Sequence, residues 1–307
     1  MHCTKSGVTD HFAEDDHHAL QIVRSIMSFA DQGRQATASS SVQALALPHV
    51  EPPAYPTEEL NGVVPANELE QYDAREVIAR LVDGSRFAEF KQLYGPTVVC
   101  GFAHVHGRPV GIVANNGILF SDSSLKAAHF VELCSQRKVP LLFLQNITGF
   151  MIGKKAENEG IAKDGAKLVT AVACAQVPKF TVVVGGSYGA GNYAMCGRAY
   201  DPRFVFMWPN AKINVMGGDQ AAGVLTSVTA AAMKKRGMPM SKDELEALAS
   251  KVVEKFNAQS SGYFSGARMW DDGTIEPGQT RDILGLALAI ATEQQPISDT
   301  KFGVFRM

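Results

Sequence analysis

Residues 140–153 read PLLFLQNITGFMIG, and residues 180–191 read FTVVVGGSYGAG. In both stretches, an apolar run with the length of a buried strand passes directly into a glycine-rich segment. Helical patterns follow over residues 159–176 and 192–195. Strands separated by helices are typical of a parallel sheet covered by helices, so these two stretches predict an α/β fold.

The flanking sequence extends this pattern. Strands are predicted over residues 97–104, 109–114 and 204–208, and a tight turn at residues 106–108 joins the first two as a hairpin. Apolar spacing and capping residues predict further helices over residues 17–29, 73–81, 123–138, 216–235, 241–256 and 280–291. The repeat is therefore strand, strand, glycine loop and helix, rather than a strict alternation of strand and helix.

The composition is that of an ordinary globular chain. Of 307 residues, 46% are hydrophobic and 20% are charged, which excludes global disorder. The net charge of −2 gives no field that favours nucleic acid or an acidic membrane as a partner. No apolar run approaches about 18 residues, so no membrane-spanning segment is predicted. Five scattered cysteines without a CxxC pair predict buried, reduced thiols rather than a disulfide framework.

Residues 39–65 differ from the rest of the chain. They contain three consecutive serines, five prolines and few periodic apolar residues. This composition is typical of a linker, because proline removes hydrogen-bond donors and fixes extended backbone. Residues 1–16 carry no secretory signal and precede an amphipathic helix, which suggests a chain that starts inside a larger fold. We therefore expect a boundary within residues 39–65.

The two glycine segments are the candidate functional site. Where a strand ends and a helix opens, unpaired amide N–H groups and the positive helix terminus converge on any anionic oxygen. Glycine and alanine keep side chains away, so a phosphate or an enolate oxygen can reach the backbone. The alternative is that the glycines only allow tight turns. A nucleotide site is not indicated, because residues 186–191 depart from GxGxxG spacing and no Walker lysine motif occurs.

Several motifs, in order along the chain, resemble one known family. They read DGSRFAEF (83–90), GIVANNG (111–117), NITGF (146–150) and GGSYGAGNY (185–193). These motifs are similar to those of the carboxyltransferase (β) subunits of biotin-dependent acyl-CoA carboxylases. The NITGF wording and the ending FGVFRM resemble the methylcrotonoyl-CoA branch, since propionyl-type relatives usually carry an Asp-Val-Pro-Gly-Phe version.

The resemblance implies a fold and a domain plan. The fold is an α/β, crotonase-like domain of the ClpP/crotonase superfamily, built from ββα repeats with layered sheets and flanking helices. Because the family has two such domains, residues 1–38 are expected to be a remnant of the N-terminal carboxyltransferase domain. Residues 39–65 are then a linker, and residues 66–307 are the C-terminal carboxyltransferase domain. Family active sites lie between the N-domain of one subunit and the C-domain of another, so this chain is expected to supply half of a site.

The resemblance also implies roles for individual residues. The amides of Ala190 and Gly191 are expected to form the catalytic oxyanion hole for the biotin ureido oxygen. The biotin side is implied to be lined by Gly149, Phe150, Gly160, Ile161 and Ala162. The acyl-CoA side is implied to include Arg86, Phe87, Phe90, Lys91, Asn115, Asn116 and Gly117. Of these, Arg86 and Lys91 are the expected partners of the CoA phosphates.

The implied activity is carboxyl transfer from carboxybiotin to 3-methylcrotonyl-CoA, a ligase step of leucine degradation. Biotin is expected to be carried covalently on a partner α subunit, with the β subunits forming dimers within a hexamer. No metal, nucleic acid or membrane partner is expected. The implied compartment is the mitochondrial matrix in a eukaryote and the cytoplasm in a bacterium. Geranyl-CoA and propionyl-CoA are alternative substrates, and a non-catalytic assembly module is an alternative role.

Three further alternatives stay open on the residues alone. A crotonase-type hydratase or isomerase needs a glutamate at the acyl pocket, and the nearest to either loop are Glu157 and Glu159. Residues 15–18, Asp-Asp-His-His, are either metal ligands or the capped start of a helix. Cys196 follows the second glycine segment without a neighbouring histidine, so a buried thiol is favoured over a nucleophile.

Overall fold

The computed structural model describes residues 1–30, 50–65, 67, 70–293 and 297–307. One eight-stranded sheet runs through this part of the chain. Its strands are β1 (Ala88–Phe90), β2 (Val98–Val105), β3 (Arg108–Asn115), β4 (Leu141–Ile147), β5 (Lys179–Tyr188), β6 (Phe204–Met207), β7 (Lys212–Asn214) and β8 (Gly273–Thr274).

The sheet has the order β1-β2-β3-β4-β5-β6-β8, and β7 pairs with the last residues of β5. Strands β1 to β3 are antiparallel, which confirms the predicted hairpin. Strands β3, β4, β5, β6 and β8 are parallel to their neighbours in that order. Their carboxyl ends lie along one edge, the position at which open α/β sheets bind ligands. We call it the carboxyl edge, and both glycine segments reach it.

Helices flank the sheet. They are α1 (Asp16–Ala30), α2 (Leu60–Val63), α3 (Ala74–Leu81), α4 (Ser121–Arg137), α5 (Lys154–Asn158), α6 (Ile161–Cys174), α7 (Gly189–Ala194), α8 (Gly218–Lys235), α9 (Lys242–Ser260), α10 (Gly262–Gly266) and α11 (Thr280–Glu293). Shorter helical turns cover His2–Ser6, Thr57–Glu59, Asp83–Ser85, Arg198–Tyr200 and Pro277–Gln279. Two predicted caps are confirmed: Asp73 accepts from the Arg75 amide at 2.9 Å, and Ser241 with Glu244 forms a capping box.

Hydrophobic residues form a cluster on each face of the sheet. Successive strand residues point to opposite faces, so Val99 and Cys100 of β2 belong to different clusters, as do Leu142 and Phe143 of β4. Helices α3 and α11 cover one cluster, and α4 and α6 cover the other. Burial on both faces explains why β4 is apolar almost throughout.

The structure describes only part of the predicted linker, residues 39–65. Residues 39–49 lie outside the described residues, so the boundary placed there stays a prediction. Residues 50–65 pack on the domain, and Leu60 of α2 is 1% exposed within the cluster that α3 covers. No local pattern indicated this packing, because a single buried leucine among prolines shows no period.

Candidate functional site

The two glycine segments meet at the carboxyl edge. Gly191, in the first turn of α7, lies directly against the first segment. A Cβ added at Gly191 would be 2.6 Å from Ile147 Cγ1 and 3.3 Å from the Gly149 Cα atom. Since no side chain fits in this space, only glycine at position 191 allows the two segments to approach so closely.

The second segment presents backbone donors. Helix α7 follows Tyr188, whose side chain makes no capping hydrogen bond. The first N–H groups of a helix have no acceptor within the helix, and this includes the amides of Ala190 and Gly191. Ala190 is exposed and Gly191 is buried. Neighbouring fixed N–H donors of this kind can stabilise an oxygen that gains negative charge.

The second segment is less of a loop than the sequence indicates. Residues 185–188 continue β5, and the helix begins at Gly189. The strand continues because Gly186, Ser187 and Tyr188 pair with β7. Glycines usually weaken a strand, and this explains why the pattern predicted a loop there.

The first segment is anchored to its neighbours through its backbone. The Leu119 amide donates to the Gly149 carbonyl at 3.2 Å, and the Met151 amide donates to the Leu119 carbonyl at 2.8 Å. The ring of Phe150 rests against α6, where a Cβ at Gly165 would lie 2.9 Å from its Cε1 atom. The predicted biotin-side residues Gly149 and Phe150 therefore bridge the carboxyl edge and α6.

The other predicted biotin-side residues open α6. The helix predicted over residues 159–176 begins at Ile161, and residues 154–158 form the separate helix α5. Gly160 separates the two helices, and its carbonyl accepts from the Asp164 amide at 3.0 Å. Ile161 and Ala162 are thus the first residues of a helix that the first segment contacts.

Three predicted acyl-CoA residues lie beside the first segment, at the end of β3. Asn115 Oδ1 accepts from the Asn146 amide at 3.2 Å, which ties β3 to β4. Asn116 Oδ1 accepts from the Ala74 amide at 2.9 Å. Gly117 follows directly. The structure therefore brings these three residues to the carboxyl edge with both glycine segments.

Arg86 and Phe87 lie at the other end of the sheet. Ala88 pairs with Phe102 of β2, whereas Val98 of β2 pairs with Asn115 at the carboxyl edge. Six strand residues separate this edge from the level of Arg86, or roughly 20 Å at about 3.3 Å per residue. The two ends of the predicted acyl-CoA stretch are therefore not brought together.

Phe90 and Lys91 are buried. Phe90 belongs to the hydrophobic cluster under α4. Lys91 is 4% exposed, and its ammonium group donates to the Gly7 carbonyl and pairs with Asp10 Oδ1 at 2.6 Å. In this arrangement Lys91 fastens the first residues of the chain to the domain, and its contact with CoA stays a prediction.

A buried polar network under the second segment was missed by the sequence reasoning. Ser187 Oγ donates to Gln145 Oε1 at 2.5 Å, and Gln145 Nε2 donates to the Met195 carbonyl at 2.6 Å. Asn192 Nδ2 donates to Ser187 Oγ at 2.8 Å. Gln145 and Ser187 are both 0% exposed. The available signal was the presence of these two polar residues at the ends of otherwise apolar strands.

The remaining candidates are resolved by burial and local geometry. Cys196 is fully buried, and burial raises the pKa of its thiol to about 12, so the predicted buried thiol is confirmed. Asp15 Oδ1 accepts from the His18 amide at 2.7 Å, as in a capped helix start. Within the described ranges, no group of three or more His, Cys, Asp or Glu residues could hold a metal ion.

Comparison with known proteins identifies the family. The family model described as "Carboxyl transferase domain" matches residues 1–305. This chain belongs to the carboxyl transferase domain family. The family assignment confirms the resemblance of the motifs, and solved relatives confirm the crotonase-like α/β fold.

Two curated relatives cover 100% of this carboxyl transferase chain. It is 57% identical to the probable mitochondrial methylcrotonoyl-CoA carboxylase beta chain of Drosophila melanogaster, over 54% of that protein's length. It is 55% identical to the mitochondrial methylcrotonoyl-CoA carboxylase beta chain of Dictyostelium discoideum, over 51% of its length. The chain thus spans about half the length of the curated relatives it matches.

Two solved structures also align with the whole chain. The beta subunit of P. aeruginosa geranyl-CoA carboxylase has a TM-score of 0.75 and 41% identity, over 57% of its length. The transcarboxylase 12S hexamer, solved with hydrolyzed methylmalonyl-coenzyme A bound, has a TM-score of 0.84 and 36% identity, over 57% of its length. In the part of our chain that the structure describes, no helix is both long and apolar enough to cross a membrane.

Proposed function

We propose that this chain acts as the C-terminal half of a carboxyltransferase subunit, in carboxyl transfer from carboxybiotin to 3-methylcrotonyl-CoA. The observation that carries the proposal is the contact between Gly191 and Gly149, which places the α7 amides beside the first glycine segment. The methylcrotonoyl-CoA carboxylase names of relatives that are 55–57% identical favour this acyl-CoA and a role in leucine degradation.

The site residues fit a biotin ring. Apart from Gly149 and its two chain neighbours, no residue has an atom within 4 Å of the position that a Cβ at Gly149 would occupy, so the outer side of the first segment is open. Biotin, carried covalently on a partner α subunit, supplies the carboxyl group. Backbone groups of Gly149, Phe150 and residues 160–162 would line the biotin side. The amides of Ala190 and Gly191 would hold the ureido oxygen and stabilise negative charge on it.

The acyl-CoA side follows the same edge. Asn115, Asn116 and Gly117 lie next to the first segment and are proposed to line the path of the acyl group. Arg86, at the far end of the sheet, is proposed to meet the phosphates, which CoA carries at the other end of its long pantetheine arm. The catalytic chemistry requires no metal from this chain.

The proposed partners are the biotin-carrying α subunit and further β subunits. The structural relative transcarboxylase 12S is itself described as a hexamer, which supports a hexamer here; its arrangement as dimers is part of the proposal. The apolar residues Val224, Leu225 and Val228 are exposed on α8 and offer surface for such assembly. The mitochondrial matrix is the proposed compartment in a eukaryote and the cytoplasm in a bacterium, by analogy with the relatives.

Geranyl-CoA carboxylation is the second candidate, because a geranyl-CoA carboxylase beta subunit is 41% identical over the whole chain. A crotonase-type hydratase is disfavoured. Its glutamate would have to be Glu157 or Glu159, and both are exposed on or beside α5.

The test is a carboxylation assay. A full-length β chain that contains this sequence, assembled with its biotin-carrying partner, is expected to favour 3-methylcrotonyl-CoA over geranyl-CoA and propionyl-CoA in kcat/KM. The 307-residue chain alone is expected to show no transfer with free biotin, because half of the proposed cleft is supplied by another domain. A preference for geranyl-CoA would replace the substrate assignment, and turnover by the isolated chain would refute the half-site proposal.

A further inference from the structure

The pairing of β4 with β5 is irregular where the second segment begins. Gln145 lies opposite Val183, but Ile147 lies opposite Ser187. Two steps along β4 thus correspond to four steps along β5. The intervening residues of β5 have no regular ladder partner on β4. Such a bulge bends a strand and redirects the chain beyond it, and bulges are common beside active sites.

Two side chains of β4 bond to β5 across the bulge, and that of Asn146 replaces a ladder bond. Asn146 Oδ1 accepts from the Gly186 amide at 3.0 Å. Gln145 Oε1 accepts from Ser187 Oγ at 2.5 Å. Glycine at position 185 is required for this, because a Cβ there would collide with Asn146 Oδ1.

The same network brackets helix α7. Asn192 Nδ2, inside the helix, donates to Ser187 Oγ at 2.8 Å, just before the helix. Gln145 Nε2 donates to the carbonyl of Met195, just after the helix, at 2.6 Å. One glutamine of β4 thus contacts the chain on both sides of Ala190 and Gly191, and both of these contacts are with neutral groups.

We propose that Gln145 and Ser187 are positioning residues that hold the amides of Ala190 and Gly191 in register with the first glycine segment. This inference rests on the proposed function, because the position of the two amides affects the rate of carboxyl transfer only if they form the oxyanion hole. The network consists of neutral groups, so it fixes the direction of the amides without adding a field that competes for the anionic oxygen. Fixed donors matter because a misplacement of about 1 Å can cost roughly 100-fold in rate.

The test uses two variants in the full-length β chain assembled with its biotin-carrying partner. Ser187→Ala leaves Gln145 Oε1 without its donor, so both stability and activity are expected to fall. Gln145→Met/Ser187→Ala removes both members of the pair, but it also deprives the Met195 carbonyl and Asn192 Nδ2 of their partners. Its Tm is therefore expected to stay below that of wild type, and kcat is measured at a temperature at which the variant is folded. Its kcat is expected to be about 10- to 100-fold low, with the KM for acyl-CoA changed less than about twofold.

A matched control is Ser135→Ala in α4. Ser135 is also a buried serine, and its hydroxyl donates to the Val131 carbonyl at 2.8 Å, away from both segments. This variant is expected to keep wild-type kcat. A wild-type kcat in the folded double variant would overturn the proposal, because the network would then serve packing alone.

A second readout separates this inference from the proposed function. Hydrogen exchange of peptides that span residues 186–197 is expected to speed up in the double variant and to stay unchanged in Ser135→Ala. If wild type carboxylates no acyl-CoA, the proposed function fails, and the exchange result still decides whether the network holds α7. Unchanged exchange in the double variant would overturn the positioning role, whatever the activity.

Discussion

Two buried polar networks lie at opposite ends of the sheet, and one of them contains an ion pair whereas the other consists of neutral groups. At the hairpin end of the sheet, where residues 106–107 join β2 to β3, Arg281 of α11 donates to Asp83 Oδ1 at 2.6 Å and to the Leu81 carbonyl at 2.7 Å. Asp83 also accepts from the Gly107 amide at 2.6 Å. At the carboxyl edge, the network around Gln145 consists of amides, a hydroxyl and a backbone carbonyl.

We propose that this difference reflects two roles: the charged network holds the fold, and the neutral network positions the proposed oxyanion hole. A buried ion pair with additional hydrogen bonds joins parts of the chain that lie 198 residues apart. Placed beside Ala190 and Gly191, such a pair would impose its own field on an oxygen that gains charge during reaction. In the proposed site, neutral groups would fix the backbone and leave the amide dipoles as the local source of stabilisation.

Removing the cation at the hairpin end is expected to have the largest effect. Arg281→Ala leaves the Asp83 carboxylate buried without its partner, which costs about 3–5 kcal/mol in the free energy of unfolding. Urea unfolding of the 307-residue chain measures this. As a control, Lys242→Ala removes an exposed cation and is expected to change stability by less than about 0.5 kcal/mol. A loss below about 1 kcal/mol in Arg281→Ala would show that the two ends do not differ as argued.

Removing a donor at the carboxyl edge is expected to lower activity and to leave stability almost unchanged. Ala190→Pro deletes one amide N–H in the first turn of α7, where proline is tolerated. Turnover of the assembled enzyme is expected to fall about 10²- to 10³-fold, or about 2.7–4 kcal/mol, with little change in Tm. Ala190→Gly retains the donor and is expected to lose far less. Retained transfer in a folded Ala190→Pro enzyme would place the oxyanion hole elsewhere.

Local patterns accounted for much of the fold. The hairpin, β4, β6 and the helices with capping residues were predicted within a few residues, because apolar period and caps are encoded locally. Strands β1, β7 and β8 were missed. They are two or three residues long, which is too short to show a period, and they exist only through pairing with neighbours.

The candidate site could be predicted from the sequence only in part. The glycine segments were visible because strand, glycine and helix follow one another in sequence. The contact of Asp83 with Arg281, and that of Lys91 with Asp10, join distant parts of the chain, and no spacing rule reports them. The bulge between β4 and β5 was equally hidden, because register depends on two strands at once.

A further buried polar group, the amine of Lys126, lies between the two ends of the sheet. Lys126 of α4 is 1% exposed, and its Nζ atom has no hydrogen-bond partner among the described residues. Burial lowers the pKa of this amine below its ordinary value of 10.5. Lys126→Met keeps the shape and removes the buried polar group, so stability at pH 7 is expected to rise by about 1–3 kcal/mol. Urea unfolding measures the gain, and a destabilised variant would reveal an acceptor for Lys126.

The gain is expected to depend on pH. Between the lowered folded pKa of Lys126 and 10.5, the unfolded chain binds more protons than the folded one, so wild-type stability rises with pH from this group. The advantage of Lys126→Met is therefore largest below that window and shrinks as the pH approaches 10.5. Taking the difference between variant and wild type at each pH removes the contributions of groups that both proteins share.

A small effect on stability is expected at Arg86, on the surface of the hairpin end. Its side chain is 65% exposed and pairs with Glu51, so Arg86→Ala is expected to change the free energy of unfolding by less than about 1 kcal/mol. Binding tests it more sharply. If Arg86 meets a CoA phosphate, KM for the acyl-CoA rises severalfold, up to about tenfold or 1.4 kcal/mol. The kcat stays unchanged, because the contact is far from the reacting carbon and equal in ground and transition states. Arg86→Lys keeps the charge and is expected to lose less, and the difference between the two variants narrows at high salt. An unchanged KM in Arg86→Ala would show that the hairpin end takes no part in substrate binding. Its assigned role would then be to stabilise the fold through the Asp83–Arg281 pair.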